Sequence, residues 1–268
     1  MYCKKCGKEI NTLYQTCNLL TIGTRCEVYY ICDVKVPRFI GKKFYYPDDP
    51  EILNCKYINY VKGANFPKFC SIIYDINTTI IYEFIEGRTL EEEFESLSKT
   101  QLFKLLINII EQLLIINKQN FYYLDINKSN IVIKNNKPYF IDFNSVFKSG
   151  SFVKRKILFG SKTNIPPEYF ISNDLLFDKY NVFSIGLLIF EKIYNFNPYL
   201  IEDYYNLDCW FWCDNQNNHN RENCLIKFMN ENTKDEITKY IILKCLEYEP
   251  DERIELDKLK IFLYINSN

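Results

Sequence analysis

The chain has 268 residues, 47% hydrophobic and 25% charged, a composition that suits one large or two small globular domains and excludes wholesale disorder. Lys and Arg number 33 against 34 Asp and Glu, a net charge of −1, so no basic excess marks a nucleic-acid footprint and no polybasic stretch marks a membrane anchor. Aromatic residues reach 17% while Gly (8) and Pro (9) are scarce, which implies a filled core and counts against a generous glycine-rich phosphate cradle.

The first residues, Met1-Tyr2-Cys3-Lys4-Lys5-Cys6, are polar and basic with no apolar stretch behind them, so no signal peptide is read and a cytoplasmic location is expected. Residues 18–46 alternate and are rich in β-branched and aromatic types, which predicts two or three antiparallel strands. Asp48-Asp49-Pro50-Glu51 is a helix start, with an Asp cap, Pro in the first turn and an acid at the positive end. That helix carries Ile52, Leu53, Ile58 and Val61 and is expected to stop at Gly63. Strands Phe69–Tyr74 and Thr79–Phe84 follow around the Asp75-Ile76-Asn77 turn. From Gln101 to Asn117 the apolar residues take helical spacing. Ile131–Ile133 and Pro138–Ile141 flank Asn135-Asn136-Lys137 as a short hairpin, and the pattern is helical from Asp178 onward. The longest apolar stretch, Val182 to Phe190, includes Ser184 and Gly186 and falls short of the roughly 20 residues of a spanning helix, so no membrane span is expected. The predicted architecture is α+β with a small β-rich lobe and a larger helical one. The units are an N-terminal extension over 1–17, an N-lobe over 18–86 and a C-lobe over 87–268. A cleft between lobes is where a cofactor is expected to sit.

The sharpest chemical signal is Asp125-Ile-Asn-Lys-Ser-Asn130, then the hairpin, then Ile141-Asp142-Phe143-Asn144. The hairpin brings Asn130 and Asp142 together as oxygen ligands for a hard divalent ion such as Mg²⁺. Asp125 is left to orient a hydroxyl nucleophile. Eleven cysteines, an odd number, offer two zinc candidates, Cys3 and Cys6 with Cys17 and Cys26, and Cys209 and Cys213 with His219 and Cys224. The competing reading of both is free thiols in a reducing compartment.

The spacing D-x4-N, hairpin, D-F resembles the catalytic loop and D-F-G motif of the protein kinase family. Downstream, Gly160 to Glu168 resembles that family's A-P-E segment, Asn181-Val-Phe-Ser184-Ile-Gly186 its next helix start, and Leu246 to Arg253 its late arginine segment. The resemblance covers roughly residues 18–265. It implies a two-lobed kinase-like fold, a buried Glu168–Arg253 ion pair, and ATP held between the lobes. By the same resemblance the backbone at Glu83 and Ile85 holds the adenine beyond a gatekeeper Tyr82, Val132 packs beneath the ring, and Gly23 and Val28 cover the nucleotide. A strand lysine grips the phosphates. Lys42 and Lys43 both qualify, and Lys43 is favoured because Gly41, two before it, is small as the residue over adenine must be. Glu51 is its helix partner, although Asn54 occupies the more usual place one turn later.

Departures from the family pattern are equally specific. The turn Ile22 to Tyr29 has one glycine, Tyr123-Leu124 replaces His-Arg, and Asn127 stands where a Lys is usual, with Lys128 displaced by one. Asn144 replaces the last Gly of D-F-G, a mild change because Asn tolerates left-handed geometry, and Asn181 replaces a buried Asp that caps backbone N–H groups. The leading expectation is an ATP- and Mg²⁺-dependent kinase for protein Ser/Thr hydroxyls. A pseudokinase that binds nucleotide or protein is the alternative, and a small-molecule kinase the third.

Overall fold

The strands of the N-lobe form where alternation puts one side chain in two on each face of a sheet. In the computed structural model, which describes residues 18–31, 39–148, 164–166, 168, 176–196 and 219–267, β1 (Asn18–Ile22), β2 (Cys26–Ile31), β3 (Phe39–Phe44), β4 (Phe69–Tyr74) and β5 (Thr78–Glu83) make an antiparallel sheet in the order β1-β2-β3-β5-β4. One face carries Phe44, Ile80 and Tyr82 into the main core, and the other packs Ile31 and Ile81 with Phe39, Cys70 and Ile73. Helix α1 (Pro50–Ile58) begins as its sequence dictates: Asp49 caps it, its side chain accepting from the Glu51 N–H at 3.0 Å. It ends at Ile58, earlier than the expected stop, and Gly63 follows with the left-handed φ of 82° that glycine tolerates.

A short strand β6 (Arg88–Thr89) leads into α2 (Leu90–Glu93), and Ser98 with Gln101 forms a capping box at the start of α3 (Lys99–Asn117). By length and hydropathy α3 could cross a bilayer, yet Leu102, Phe103, Leu106, Ile109, Ile110 and Leu113 are fully buried in the protein core. After it come β7 (Phe121–Tyr123), the hairpin β8 (Ile131–Lys134) and β9 (Lys137–Phe140), and β10 (Val146–Lys148). The hairpin turn is Asn135-Asn136, both at positive φ (51° and 60°), which matches the twist of the flanking strands. Helices α4 (Phe177–Tyr194), α5 (His219–Asn232), α6 (Glu236–Cys245) and α7 (Leu256–Ile265) complete the larger lobe, where α7 packs on α3 and α6 on α4.

Two close approaches fix the frame. At Gly87, between the lobes, an added Cβ would lie 2.2 Å from the Ile133 carbonyl oxygen, so only glycine lets the connecting chain cross β8. Deep in the C-lobe, Arg253 meets Glu168 through paired bonds of 2.6 and 2.7 Å, both side chains buried. The guanidinium also donates to the carbonyls of Lys179, Glu247 and Tyr248 and lies over the Phe183 ring. The ion pair implied by resemblance therefore joins residues 85 apart in sequence. Asn181 departs from expectation. It lies inside α4 instead of capping a helix, and neither its Oδ1 nor its Nδ2 meets a hydrogen-bonding partner among the described residues.

Candidate active site

The loop after β7 is pulled against the segment after β9 by backbone pairing. Tyr123 is in register with Val146 in β7–β10, the Leu124 N–H donates to Ser145 O, and the Ile141 N–H donates to Asn130 O at 3.0 Å. This carries Asp125, Asn130 and Asp142 to one end of the cleft. Asn130 Nδ2 donates to Asp125 Oδ2 at 2.6 Å, and Asn127 Nδ2 donates to Asp125 Oδ1 at 2.7 Å. Asn127 also caps the 3₁₀ turn Lys128–Asn130 through the Asn130 N–H. Where the family pattern has a lysine, this chain thus holds its acid with a carboxamide. Lys128 does not substitute for it: its ammonium pairs with Glu191 at 2.6 Å and lies over the Phe94 ring.

Burial pushes the Asp125 carboxyl up to about 7, and the neighbouring Asp142 charge adds to the rise, against the Asn127 and Asn130 donors and the charge of Arg25. Asp142 is partly exposed, takes the Asn144 N–H on Oδ1 at 3.0 Å, and lies 4.0 Å from the Lys42 ammonium. Asn144 is not among the residues at positive φ, so this position does not need the left-handed tolerance that glycine or Asn supplies.

The strand lysine expected at Lys43 is corrected by the register. Lys42 Nζ lies 3.0 and 3.1 Å from the Glu51 carboxylate oxygens and 3.2 Å from the Ile141 carbonyl. Lys43 stands opposite Glu27 in β2 and pairs with it at 3.6 Å on the other face. The inference from Gly41 failed because its smallness serves a different neighbour: a Cβ there would lie 2.7 Å from Ile31 Cδ1, on the face away from the cleft. Two sequence signals pointed the right way, the acid Glu27 in a position to answer Lys43 and the buried aromatic Phe44 two residues from Lys42. Glu51, unlike its lysine, is where it was expected. Burial works against charge on Lys42, but Asp142 and Glu51 more than offset it, so its pKa rises and it remains an ammonium. Burial raises Glu51 to about 7 despite Lys42. Tyr82, at the gatekeeper position, donates its hydroxyl to Glu51 Oε1 at 2.9 Å, a contact no sequence pattern announced. Its ring packs on Phe69 and Phe143.

The remaining expected nucleotide contacts are distributed around this centre. Val28 is in register with Lys42 and so shares the cleft face of the sheet. Val132 is buried in β8, with Ile85 buried and Glu83 exposed on the connection between lobes. The Gly23 N–H, which would approach a phosphate, is turned back onto Cys26 O at 2.9 Å.

A divalent ion fits the donor set. Asp142 and Asn130 present hard oxygens, and a cation between Asp125 and Asp142 would relieve the repulsion that raises Asp125. Among the described residues no three His, Cys, Asp or Glu side chains form a metal-holding group of their own. An ion here would keep water or phosphate oxygens among its ligands, as Mg²⁺ does. Of the zinc candidates, Cys3, Cys6, Cys17, Cys209 and Cys213 lie outside the described residues, as do the side chains of His219 and Cys224 within α5. Cys26 is described, a half-buried thiol that burial pushes up to about 11.

The family model for the protein kinase domain matches residues 48–265, most of the chain. The chain belongs to the protein kinase family. Its β-rich and helical lobes are those of the two-lobed kinase fold. Among its relatives, rat myosin light chain kinase 2 of skeletal and cardiac muscle (Rattus norvegicus) is 24% identical over 168 residues, 59% of this chain and 27% of that protein. The mitosis inhibitor protein kinase SWE1 of Candida albicans is 32% identical over 127 residues, 42% of this chain and 10% of that protein. The chain thus spans only about a quarter or less of the length of these relatives.

Proposed function

We propose that this chain transfers the γ-phosphoryl group of ATP to Ser or Thr hydroxyls of proteins. The observation that carries the reading is the convergence, from five separate elements, of the Asp125–Asn130–Asp142 cluster with the Lys42–Glu51 pair. The acceptor hydroxyl would be oriented by Asp125, its oxygen attacking the γ-phosphorus as the bond to the bridging oxygen of ADP breaks. The hydroxyl proton goes to Asp125, whose raised pKa suits it to receive one near neutrality. Lys42, held by Glu51 and through it by Tyr82, would sit on the α- and β-phosphates as a point charge. Asn130 and Asp142 would hold Mg²⁺, which neutralises charge on the phosphates. The adenine would lie between Val28 and Val132 with its edge toward the backbone of Glu83 and Ile85. The buried Glu168–Arg253 pair and the tie from Asn164 Nδ2 to Ile126 O support a peptide platform beside the catalytic loop, which favours a protein over a small-molecule acceptor.

A second reading, a pseudokinase that keeps the fold as a binding module, draws on the spent Gly23 N–H and on Asn127. Incubation of the purified protein with radiolabelled ATP and Mg²⁺, alone and with a generic basic protein, decides between them. Label on Ser or Thr supports transfer. Nucleotide binding with no label on any protein transfers the assignment to the second reading.

A further inference from the structure

The β1–β2 turn reaches the cleft with a side chain, while its one glycine N–H and its Arg25 carbonyl are engaged elsewhere. The Gly23 N–H closes on Cys26 O, and the Arg25 carbonyl accepts from the Tyr45 N–H at 3.0 Å. From this fixed base Arg25 forks onto the buried Asp49, Nε to Oδ2 at 2.9 Å and Nη2 to Oδ1 at 2.5 Å. The same Nη2 donates across the cleft to Asn144 Oδ1 at 2.5 Å. Asp49 is the cap that begins α1 two residues before Glu51, whose N–H it accepts. One turn further along the helix, Asn54 Nδ2 donates to the Phe143 and Asn144 carbonyls at 3.1 and 3.2 Å. One guanidinium therefore joins the turn, the first turn of α1, and the segment that follows Asp142.

We propose that Arg25 is a positioning residue which clasps the lobes through Asp49 and Asn144, fixing α1 so that Glu51 meets Lys42 and Asp142 faces Asp125. The proposal rests on the kinase reading above and adds to it a part played by the side chain of the glycine-poor turn. The need for a clasp is physical. Helix α1 has nine residues, too short to hold itself in place, and Leu53 on its outer side is exposed. The clasp also needs arginine, since a lysine ammonium cannot fork onto a carboxylate and reach a third acceptor in the same plane.

The test uses Asn144→Ala, which cuts the inter-lobe leg and leaves the Arg25–Asp49 fork, and Asn144→Asp, which keeps an acceptor. Arg25→Ala and the double variant Arg25→Ala/Asn144→Ala complete a cycle. Asn144→Ala and Arg25→Ala are each expected to lower kcat by about tenfold or more, as small misplacements of reacting groups do. The KM for ATP should stay within about threefold, because uniform binding is not what is lost. Asn144→Asp should recover kcat to within about threefold, and the double variant should lose little beyond the worse single one, as coupled sites do. In the nucleotide-free protein, amide hydrogen exchange over residues 50–58 should accelerate in Asn144→Ala and not in Asn144→Asp.

Additive losses, or a kcat unaffected by Asn144→Ala, would overturn the clasp. A raised KM with unchanged kcat confined to Arg25→Ala would overturn it in favour of a direct phosphate ligand. Should Arg25→Ala fail to fold, the comparison of the two Asn144 variants still decides. If the wild type transfers no phosphate, the kinase reading falls by itself. Hydrogen exchange then tests the clasp alone: faster exchange in Asn144→Ala upholds it, and exchange equal to wild type overturns it.

Discussion

Replacing Asp125 by Asn should remove a loss of stability that grows as pH rises, while abolishing phosphoryl transfer. The carboxyl is almost fully buried, and its pKa rises from the ordinary 3.8 to about 7 through burial first and the Asp142 charge second. A carboxyl raised in the folded state binds its proton more tightly there than in the unfolded chain. Its favourable contribution is therefore present in full below the unfolded pKa near 4 and is lost as pH rises through 7. At about 1.36 kcal/mol per pH unit, the loss between those limits approaches about 4 kcal/mol. Asn removes the titration but brings its own constant cost, since its amide end faces one of the two donors, Asn127 Nδ2 or Asn130 Nδ2, that the carboxylate accepts. The decisive quantity is hence the slope. Urea unfolding of wild type and Asp125→Asn from pH 4 to 8, in buffer with a chelator, should give a stability difference that drifts steadily in favour of Asn by up to about 4 kcal/mol. Added Mg²⁺ should flatten the drift, since a cation between Asp125 and Asp142 favours the ionised form. Parallel pH profiles for the two proteins would refute the coupling of Asp125 to its buried surroundings, and with it the argument that it receives a proton near neutrality.

Three further outcomes are expected. Lys42→Met should abolish transfer or sharply raise the KM for ATP, while Lys43→Met, on the opposite face beside Glu27, should change either by less than about threefold; the reverse ranking would mean the strand register is wrong. Glu168→Gln leaves Arg253 as a buried charge without its counter-ion and should cost roughly 3–5 kcal/mol in chemical denaturation, with a loss under about 1 kcal/mol showing that the pair is dispensable. Gly87→Ala must push against backbone at Ile133, so thermal unfolding should show a clear drop in Tm, whereas an unchanged Tm would contradict the close crossing of the connecting chain over β8.

Much of this site is legible in sequence because its parts are local. Asp49-Pro50-Glu51 specifies a helix start by capping and fixed φ, and a two-residue Asn turn specifies a hairpin, so the backbone pairing of Asn130 with Ile141, next to Asp142, follows from spacing. Glu168 and Arg253 were legible by another route, since nothing local links residues 85 apart and the family pattern alone implied the pair.

Tertiary structure decided what depends on which face of an element meets which neighbour. Strand alternation says that Lys42 and Lys43 point opposite ways but not which way the cleft lies. That was set by Phe44 and Ile80 entering the core on one side and Ile31 filling the space above Gly41 on the other. The Tyr82 hydroxyl on Glu51 and the Arg25 link between Asp49 and Asn144 join residues 24 to 119 apart through side chains that occur singly, with no period or motif to read. The raised pKa of Asp125 likewise has no local cause, because the same Asp-Ile-Asn sequence in a solvated loop would titrate near the ordinary value. Helix starts and turns arise from a few adjacent backbone groups, so adjacent residues suffice to specify them. The face of a strand, the partner of a lone arginine and the dielectric around a carboxyl arise from the packed whole.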